Sequence, residues 1–108
     1  MKFLSRSEEI VLLSIWKQQS NAYGVTIRKQ VSAVTGKHWS IGAIYAPLHR
    51  LEKKELVRTI LGAPTSERGG RSKIYYELTE RGKKSLLEIK KVNESLWAGV
   101  PFLGTERE

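Results

Sequence analysis

The stretch RGGRSKIYYELTERG, residues 68–82, carries three local patterns in succession. Its first residues combine arginine with glycine, which is typical of a cationic loop that can approach another surface closely. The segment KIYYEL, residues 73–78, alternates and is rich in β-branched and aromatic residues, which predicts a strand. Thr79 is a good N-cap residue for a following helix. A basic tip, a strand and a helix start are therefore expected in this order.

A hairpin is predicted when the preceding residues are added. The segment LVRTIL, residues 56–61, has the β-branched content of a partner strand. Residues 62–72 contain three glycines and a proline, and they are expected to form a long loop between the strands. Tyr75 and Tyr76 point to opposite faces of the second strand, so one is expected in the core and the other against a fourth helix.

Three helices are predicted before the hairpin. Ser5 and Glu8 have capping-box spacing at the start of the first helix. Residues 10–16 of that helix are apolar on more than one face, which predicts contact with a second subunit as well as with the core. The second helix covers residues 24–35 and stops at Gly36. Its expected inward residues are Val25, Ile27 and Val31.

The third helix follows the N-cap Ser40 and has two different faces. The apolar residues expected on the inward face are Ile44, Leu48 and Leu51, with Ile41 at its border. The outward face is expected to consist of Gly42, Ala46, His49 and Lys53, flanked by Tyr45 and Arg50. Pro47 lies in the second turn, where we expect a local bend rather than a break, because proline removes one backbone hydrogen bond.

Three helices, a hairpin and a fourth helix follow the order of a mainly α (α+β) winged helix-turn-helix. The third helix can then lie in the major groove of DNA, which is about 12 Å wide. The hairpin tip can reach the flanking backbone or the minor groove.

The chain is one domain long and strongly basic. Its 19 lysine and arginine residues against 11 acidic residues give a net charge of +8. This excess favours an anionic partner, nucleic acid or less often a membrane surface, although a soluble protein can be basic without one. The lack of cysteine excludes disulfides and fits a reducing cytoplasm. No apolar run approaches a membrane span, and two histidines without a carboxylate cluster predict no metal or cofactor.

Three segments resemble the PadR family of bacterial transcriptional regulators, in family order and spacing: AYGVTIRKQV (22–31), SIGAIYAPLHRLEKKELV (40–57) and GGRSKIYYELTERGKKSLL (69–87). The resemblance implies a homodimeric winged-helix DNA-binding protein, commonly a repressor of neighbouring genes, in which a C-terminal helix mediates dimerisation. The single short C-terminal helix is similar to that of a compact subgroup, which includes a regulator of multidrug efflux. Some members release DNA on binding small phenolic or drug-like compounds.

Two residues depart from the family pattern. Glu55 stands where the family usually has glycine after EKK. A left-handed conformation would cost a non-glycine residue about 1 kcal/mol, so the turn is expected to be shaped differently. Pro47 is not standard for its place, so the orientation of the helix in the groove transfers less well.

The residues expected to contact DNA lie on the third helix, before it and around the hairpin tip. Arg68, Arg71 and Lys73 supply charge for phosphates, while Gly69 and Gly70 allow a close approach. The full set is Tyr23, Ser40, Gly42, Ala43, Tyr45, Ala46, His49, Arg50, Lys53, Arg68, Arg71 and Lys73. The alternative is that the helix face is only solvated and that the two tyrosines, at positions 23 and 45, are partly buried structure.

The fourth helix carries a heptad-like series of apolar residues at positions 86, 89, 96 and 100, with Asn93 between them. This spacing predicts a dimer seam, formed by Leu12, Trp16, Leu86, Ile89, Asn93, Leu96 and Trp97. The alternative is a helix folded on its own domain. Leu12, Trp16 and Trp97 are also expected to line a site between subunits for a small planar aromatic ligand.

The chain is thereby divided into three parts: residues 1–78 as DNA-binding domain, 79–100 as dimerisation helix and 101–108 as tail. The predicted function is a dimeric, sequence-specific regulator of transcription, expected to be a repressor acting on double-stranded DNA at an inverted-repeat operator. The alternative is a winged-helix module for protein–protein assembly that faces an acidic partner. No catalytic constellation is recognisable, so an enzyme is not expected.

Overall fold

The computed structural model describes residues 3–64 and 72–101. Within them the elements are α1 (Arg6–Gln18), α2 (Gly24–Thr35), α3 (Ile41–Lys53), β1 (Val57–Pro64), β2 (Ser72–Leu78) and α4 (Glu80–Trp97). A short 3₁₀ turn, Gln19–Asn21, joins α1 to α2. The predicted mainly helical winged fold with a two-stranded antiparallel sheet is confirmed.

The helix boundaries lie where capping chemistry predicts them. Ser5 Oγ accepts from the Glu8 backbone N–H at 3.2 Å, and the Glu8 carboxylate accepts from the Ser5 N–H at 2.9 Å. Ser40 and Thr79 cap α3 and α4 in the same way, at 3.1 and 3.0 Å. Gly36 ends α2 with a φ of 70°, a conformation that glycine adopts without steric cost.

The core is formed by one face of each of the first three helices, closed by the base of the hairpin. The fully buried side chains are Val11, Leu12, Ile15, Ile27, Val31, Ile44, Leu48 and Leu51. The inward face predicted for α3 is therefore confirmed, although Ile41 at its border is about half exposed. The prediction for Val25 is wrong, because Val25 is exposed. It lies two residues from the buried Ile27, which is about 200° around the helix.

The two strands pair from Val57↔Leu78 to Leu61↔Ile74, with an irregularity before Pro64. Residues 62–64 therefore belong to β1 and not to the predicted loop. Tyr76 is the buried tyrosine of the pair, and its N–H donates to the Ala22 carbonyl at 2.8 Å.

Tyr75 does not pack on α4, as one prediction had it. It forms an isolated bridge with Tyr23, and the two rings meet edge to face with centroids 5.4 Å apart. The segment before α2 thereby lies along the free edge of β2. This contact joins the second helix to the hairpin.

Two unusual backbone positions lie within α3 and just after it. The helix runs through Pro47 without a break, and Pro47 itself is buried. Glu55 adopts φ 62°, so the turn after α3 keeps a left-handed residue, and the expectation of a differently shaped turn is wrong. The Glu55 carbonyl accepts from the Thr79 hydroxyl at 2.8 Å, which helps to hold this conformation despite its cost.

Candidate DNA-binding surface

One side of α3 is open to solvent along its whole length. The exposed residues on and before it include Ser40, Gly42, Ala43, Tyr45, Ala46, His49, Arg50 and Lys53, which are the α3-region residues predicted to contact DNA. Their common exposure follows from the burial of the opposite face in the core. The first two turns of α3, which form the front of this surface, expose the small residues Gly42, Ala43 and Ala46. Towards the C-terminal end of the helix the exposed side chains are polar or basic. Charge is thus concentrated at one end of the helix.

Tyr45 connects this helix to the start of α2. A methyl group built at Gly24 would overlap the Tyr45 hydroxyl, so the ring lies directly against the backbone at Gly24. Gly24 is buried, whereas Tyr45 keeps 38% of its surface exposed. Tyr45 is therefore both a structural contact and a part of the accessible face.

A second cluster, the wing cluster, consists of Tyr23, Lys73 and Tyr75. Lys73 Nζ donates to the Tyr23 hydroxyl at 3.3 Å and lies 4.3 Å from the centroid of the same ring. The absence of a side chain at Gly62 leaves room for the Tyr75 ring. Two predicted DNA contacts from distant parts of the sequence are thus brought together, while the predicted contacts Arg68 and Arg71 lie outside the described residues.

Arg50 also has a partner inside the protein. Its Nε donates to Glu8 Oε2 at 2.7 Å, and Lys54 Nζ donates to Glu8 Oε1 at 3.0 Å. Glu8 is 2% exposed. Burial raises the pKa of Glu8, but the hydrogen bonds from the Ser5 N–H, Arg50 and Lys54 outweigh it and lower the pKa to about 2. Glu8 thereby fixes the C-terminal end of α3 to the start of α1.

We expect Glu8→Gln to lower the free energy of unfolding by about 2 kcal/mol at pH 7, because a buried carboxylate is removed from two cations that are each about half exposed. A carboxyl whose pKa is depressed in the folded state stabilises the protein above its unfolded pKa, near 4.5. That stabilisation is lost as the pH falls towards 2.

Urea unfolding of wild type and variant at a series of pH values measures this difference. It should be constant above about pH 5 and should shrink steadily below it. Glu9→Gln is the matched control, since Glu9 lies in the same first turn and, among the described residues, forms its ion pair with the exposed Arg6. A difference that does not change with pH would contradict the role assigned to Glu8.

The apolar side of α4 is buried in its first half and exposed near its C-terminal end. Leu86 and Ile89 are buried within their own chain, and Asn93 is partly buried. Leu96 and Trp97 are 69% and 72% exposed. The prediction that Leu86 and Ile89 face a second subunit is therefore wrong for their side chains, and the alternative of a helix folded on its own domain holds for this half of α4.

The predicted ligand site at Leu12, Trp16 and Trp97 also needs correction. Leu12 is 0% exposed and offers no surface to a ligand or to a second subunit. Trp16 is partly buried and lines an open cleft of 270 Å³ together with Arg58, Glu77 and Lys83, and Trp97 is not among the residues of that cleft.

Other kinds of site receive no support from the described residues. Within residues 3–64 and 72–101 no group of three or more histidine, aspartate or glutamate side chains is arranged to hold a metal ion. In the same ranges no helix is long and apolar enough to cross a membrane.

Four residues support this surface in ways that the sequence does not show: Glu8, Gly24, Lys54 and Tyr75. Glu8 is recognisable as a capping residue, but the pattern does not show that its second oxygen reaches Arg50. Gly24 lies within the segment at residues 22–31 that resembles the PadR family. This resemblance was the available sign that Gly24 has a structural role.

The winged fold, the open face of α3 and the wing cluster define a DNA-binding transcriptional regulator of the winged-helix class. The sequence profile of the transcriptional regulator PadR-like family matches residues 12–88, well over half of the chain. The chain belongs to the PadR-like family. Its members are transcriptional regulators that bind DNA, and they are not enzymes.

Three individual proteins are similar to this chain. An uncharacterized protein of Lysinibacillus sphaericus is 35% identical over 75 residues, which are 68% of this chain and 66% of that protein. A PadR-like transcriptional regulator from Bacillus cereus is 27% identical in its crystal structure, with a TM-score of 0.70 over 86% of this chain and 85% of that one. RosR of H. salinarum has a TM-score of 0.71 at 19% identity over 93% of this chain and 83% of its own, and it shares the fold.

Proposed function

We propose that the protein is a homodimeric repressor that binds an inverted-repeat operator, with α3 in the major groove and the hairpin beside it. One observation carries this proposal: a continuous line of contacts connects the two DNA-reading elements. Tyr45 of α3 lies on Gly24, the neighbouring Tyr23 contacts Lys73, and Lys73 lies in β2 near the tip end of the hairpin. This continuity supports one surface that engages a groove and the adjoining backbone together.

The positions of the basic side chains indicate which residues contact phosphates and which contact bases. Lys53 at the end of α3 and Lys73 in the wing cluster are suited to phosphates, as are Arg68 and Arg71 by their sequence. The exposed face of α3 determines the sequence specificity of DNA binding. In this proposal residues 1–78 bind DNA, the exposed end of α4 within residues 79–100 forms the dimer contact, residues 101–108 are a tail, and the regulator works in the cytoplasm.

Affinity for duplex DNA is expected to fall about 10³-fold between 50 and 200 mM salt, if each protomer neutralises about three phosphates. The contacts on which this rests are Arg50, Lys53 and Lys73. Fluorescence anisotropy with a labelled duplex at several salt concentrations gives the slope. An affinity independent of salt would instead favour a protein–protein assembly module.

Gly42→Ala is expected to stabilise the fold and to weaken DNA binding. Nothing lies within 4 Å of a methyl group built at Gly42, and alanine favours a helix over glycine by up to about 1 kcal/mol. The same methyl group would hold the α3 backbone away from the base edges, so affinity for a selected operator should fall about tenfold or more.

Thermal unfolding and anisotropy, measured on the same sample, separate the two effects. Ala33→Ser adds one atom to an exposed position of α2 and is the matched control, with both properties near wild type. A stabilised Gly42→Ala variant with unchanged DNA affinity would show that the front of α3 does not approach DNA.

We further propose that a small planar aromatic compound binds between subunits and releases the DNA. The exposed indole of Trp97 and the partly buried Trp16 supply aromatic surface that a dimer could bring together. Such a ligand shifts DNA affinity only as far as it prefers one dimer geometry over the other. Titration of tryptophan fluorescence with planar dyes, in wild type and in Trp97→Ala, tests binding, and anisotropy with operator DNA tests release.

A further inference from the structure

We infer that the front of α3 recognises thymine through its 5-methyl group, with Ala43 and Ala46 as the residues that determine specificity. The inference rests on the proposed DNA-binding function and specifies which chemical feature of the operator is read. It concerns the first two turns of α3, which are the turns that a recognition helix presents to the base edges.

The front of α3 offers almost no hydrogen-bonding side chain to a base. Its exposed residues there are Gly42, Ala43 and Ala46, beside the half-exposed Ile41. The hydroxyl of Ser40 accepts the Ala43 N–H at 3.1 Å, and so it is already engaged in capping the helix.

The two larger polar side chains next to this front are positioned by contacts with other parts of the protein. The Tyr45 hydroxyl lies against the backbone at Gly24, and Arg50 Nε is bound to Glu8. Hydrogen bonds to base edges are assigned to His49, towards the C-terminal end of the helix, since Lys53 is assigned to a phosphate. The front must discriminate by shape and apolar contact.

Thymine is the base that makes the most favourable contact with such an apolar surface. In the major groove each base pair shows its own pattern of donors and acceptors, and thymine adds an apolar methyl group that alanine side chains can contact. Glycine at position 42 lets the helix backbone come close enough for the two alanine methyl groups to reach it. Guanine would leave its acceptors without donors against the same surface.

The test begins with selection of binding sites from a random duplex pool by the full chain. In the selected operator each thymine is then replaced singly by deoxyuridine, which keeps the hydrogen-bonding groups and lacks the methyl group. At one or more thymines of each half-site, affinity should fall about fourfold, as for the loss of one buried carbon. In Ala43→Gly or Ala46→Gly the effect at the corresponding thymine should disappear.

Ala33→Gly is the control, because it places the same helix-weakening change on an exposed position of α2. In this variant the response to deoxyuridine should remain that of wild type. Specific binding with no response at any thymine would overturn the inference and leave the proposed function intact. A response that persists in both α3 variants would overturn it as well. Failure of the selection to enrich any sequence would count against the proposed function itself.

Discussion

The double variant Leu96→Gln/Trp97→Gln is expected to be a folded monomer whose affinity for the operator is at least about 100-fold lower than that of wild type. Loss of the second half-site removes the gain from two linked binding events, which is commonly 10²–10⁴-fold. Glutamine is chosen because it favours a helix and leaves the net charge unchanged. Any loss of affinity is then not an electrostatic effect.

The reason for this choice is the continuation of one apolar side of α4 past the edge of its domain. Leu86 and Ile89 on that side are buried in the same chain, and Asn93 is partly buried. Leu96 lies about 20° around the helix from Ile89, yet it is exposed, as is its neighbour Trp97. Two large apolar side chains without cover at the end of a helix are typical of a surface that a second subunit buries.

Analytical ultracentrifugation gives the oligomeric state, and anisotropy with the selected operator gives the affinity. Leu87→Gln is the matched control, since Leu87 is an exposed leucine on the opposite side of the same helix from Leu96. We expect it to remain a dimer. A double variant that stays dimeric with wild-type affinity would place the dimer contact elsewhere in the chain.

Short-range chemistry made the order and the starts of the helices predictable. Ser5, Ser40 and Thr79 each cap the helix that they were expected to begin, and Gly36 ends α2 in a left-handed conformation. Caps depend on residues three positions apart, which a sequence displays directly. The inward and outward faces of α3 could also be predicted, because helical periodicity depends on residues three and four positions apart.

Contacts between distant residues were beyond such reasoning. The pairing of Tyr23 with Tyr75 and the bond between Glu8 and Arg50 join positions that are 52 and 42 residues apart. The burial of Leu12 shows a related limit, because a helix that is apolar on several sides can be covered by its own domain as well as by a partner. The exposed face of α3 was thus predictable, whereas the supports that position it were not.

Gly82→Ala is expected to lower the free energy of unfolding by about 3 kcal/mol, although Gly82 lies in the first turn of a helix. Helix propensity alone predicts the opposite sign, since alanine is the better helix former by about 1 kcal/mol. A methyl group at this position would overlap the backbone carbonyl of Leu56, which cannot rotate away as a flexible side chain can. The steric term therefore outweighs the propensity.

The overlap lies where α4 is attached to the turn after α3. The Leu56 carbonyl accepts from the Thr79 N–H at 3.0 Å, and the Thr79 hydroxyl donates to the Glu55 carbonyl at 2.8 Å. In the proposed dimer this junction transmits the position of α4 to α3. A shift of α4 by even a small angle would therefore move the two recognition helices relative to each other.

Thermal unfolding of Gly82→Ala should show a midpoint roughly 15 °C below wild type, for a domain of this size. Gly42→Ala is the internal comparison, because the same substitution in another first turn meets open space and should raise the midpoint. At temperatures where Gly82→Ala is folded, its preference for one spacing between operator half-sites should weaken, since the α3–α4 attachment is strained. A variant as stable as Gly42→Ala would mean that α4 can move away from Leu56 at little cost, and the junction would then not fix the distance between the recognition helices.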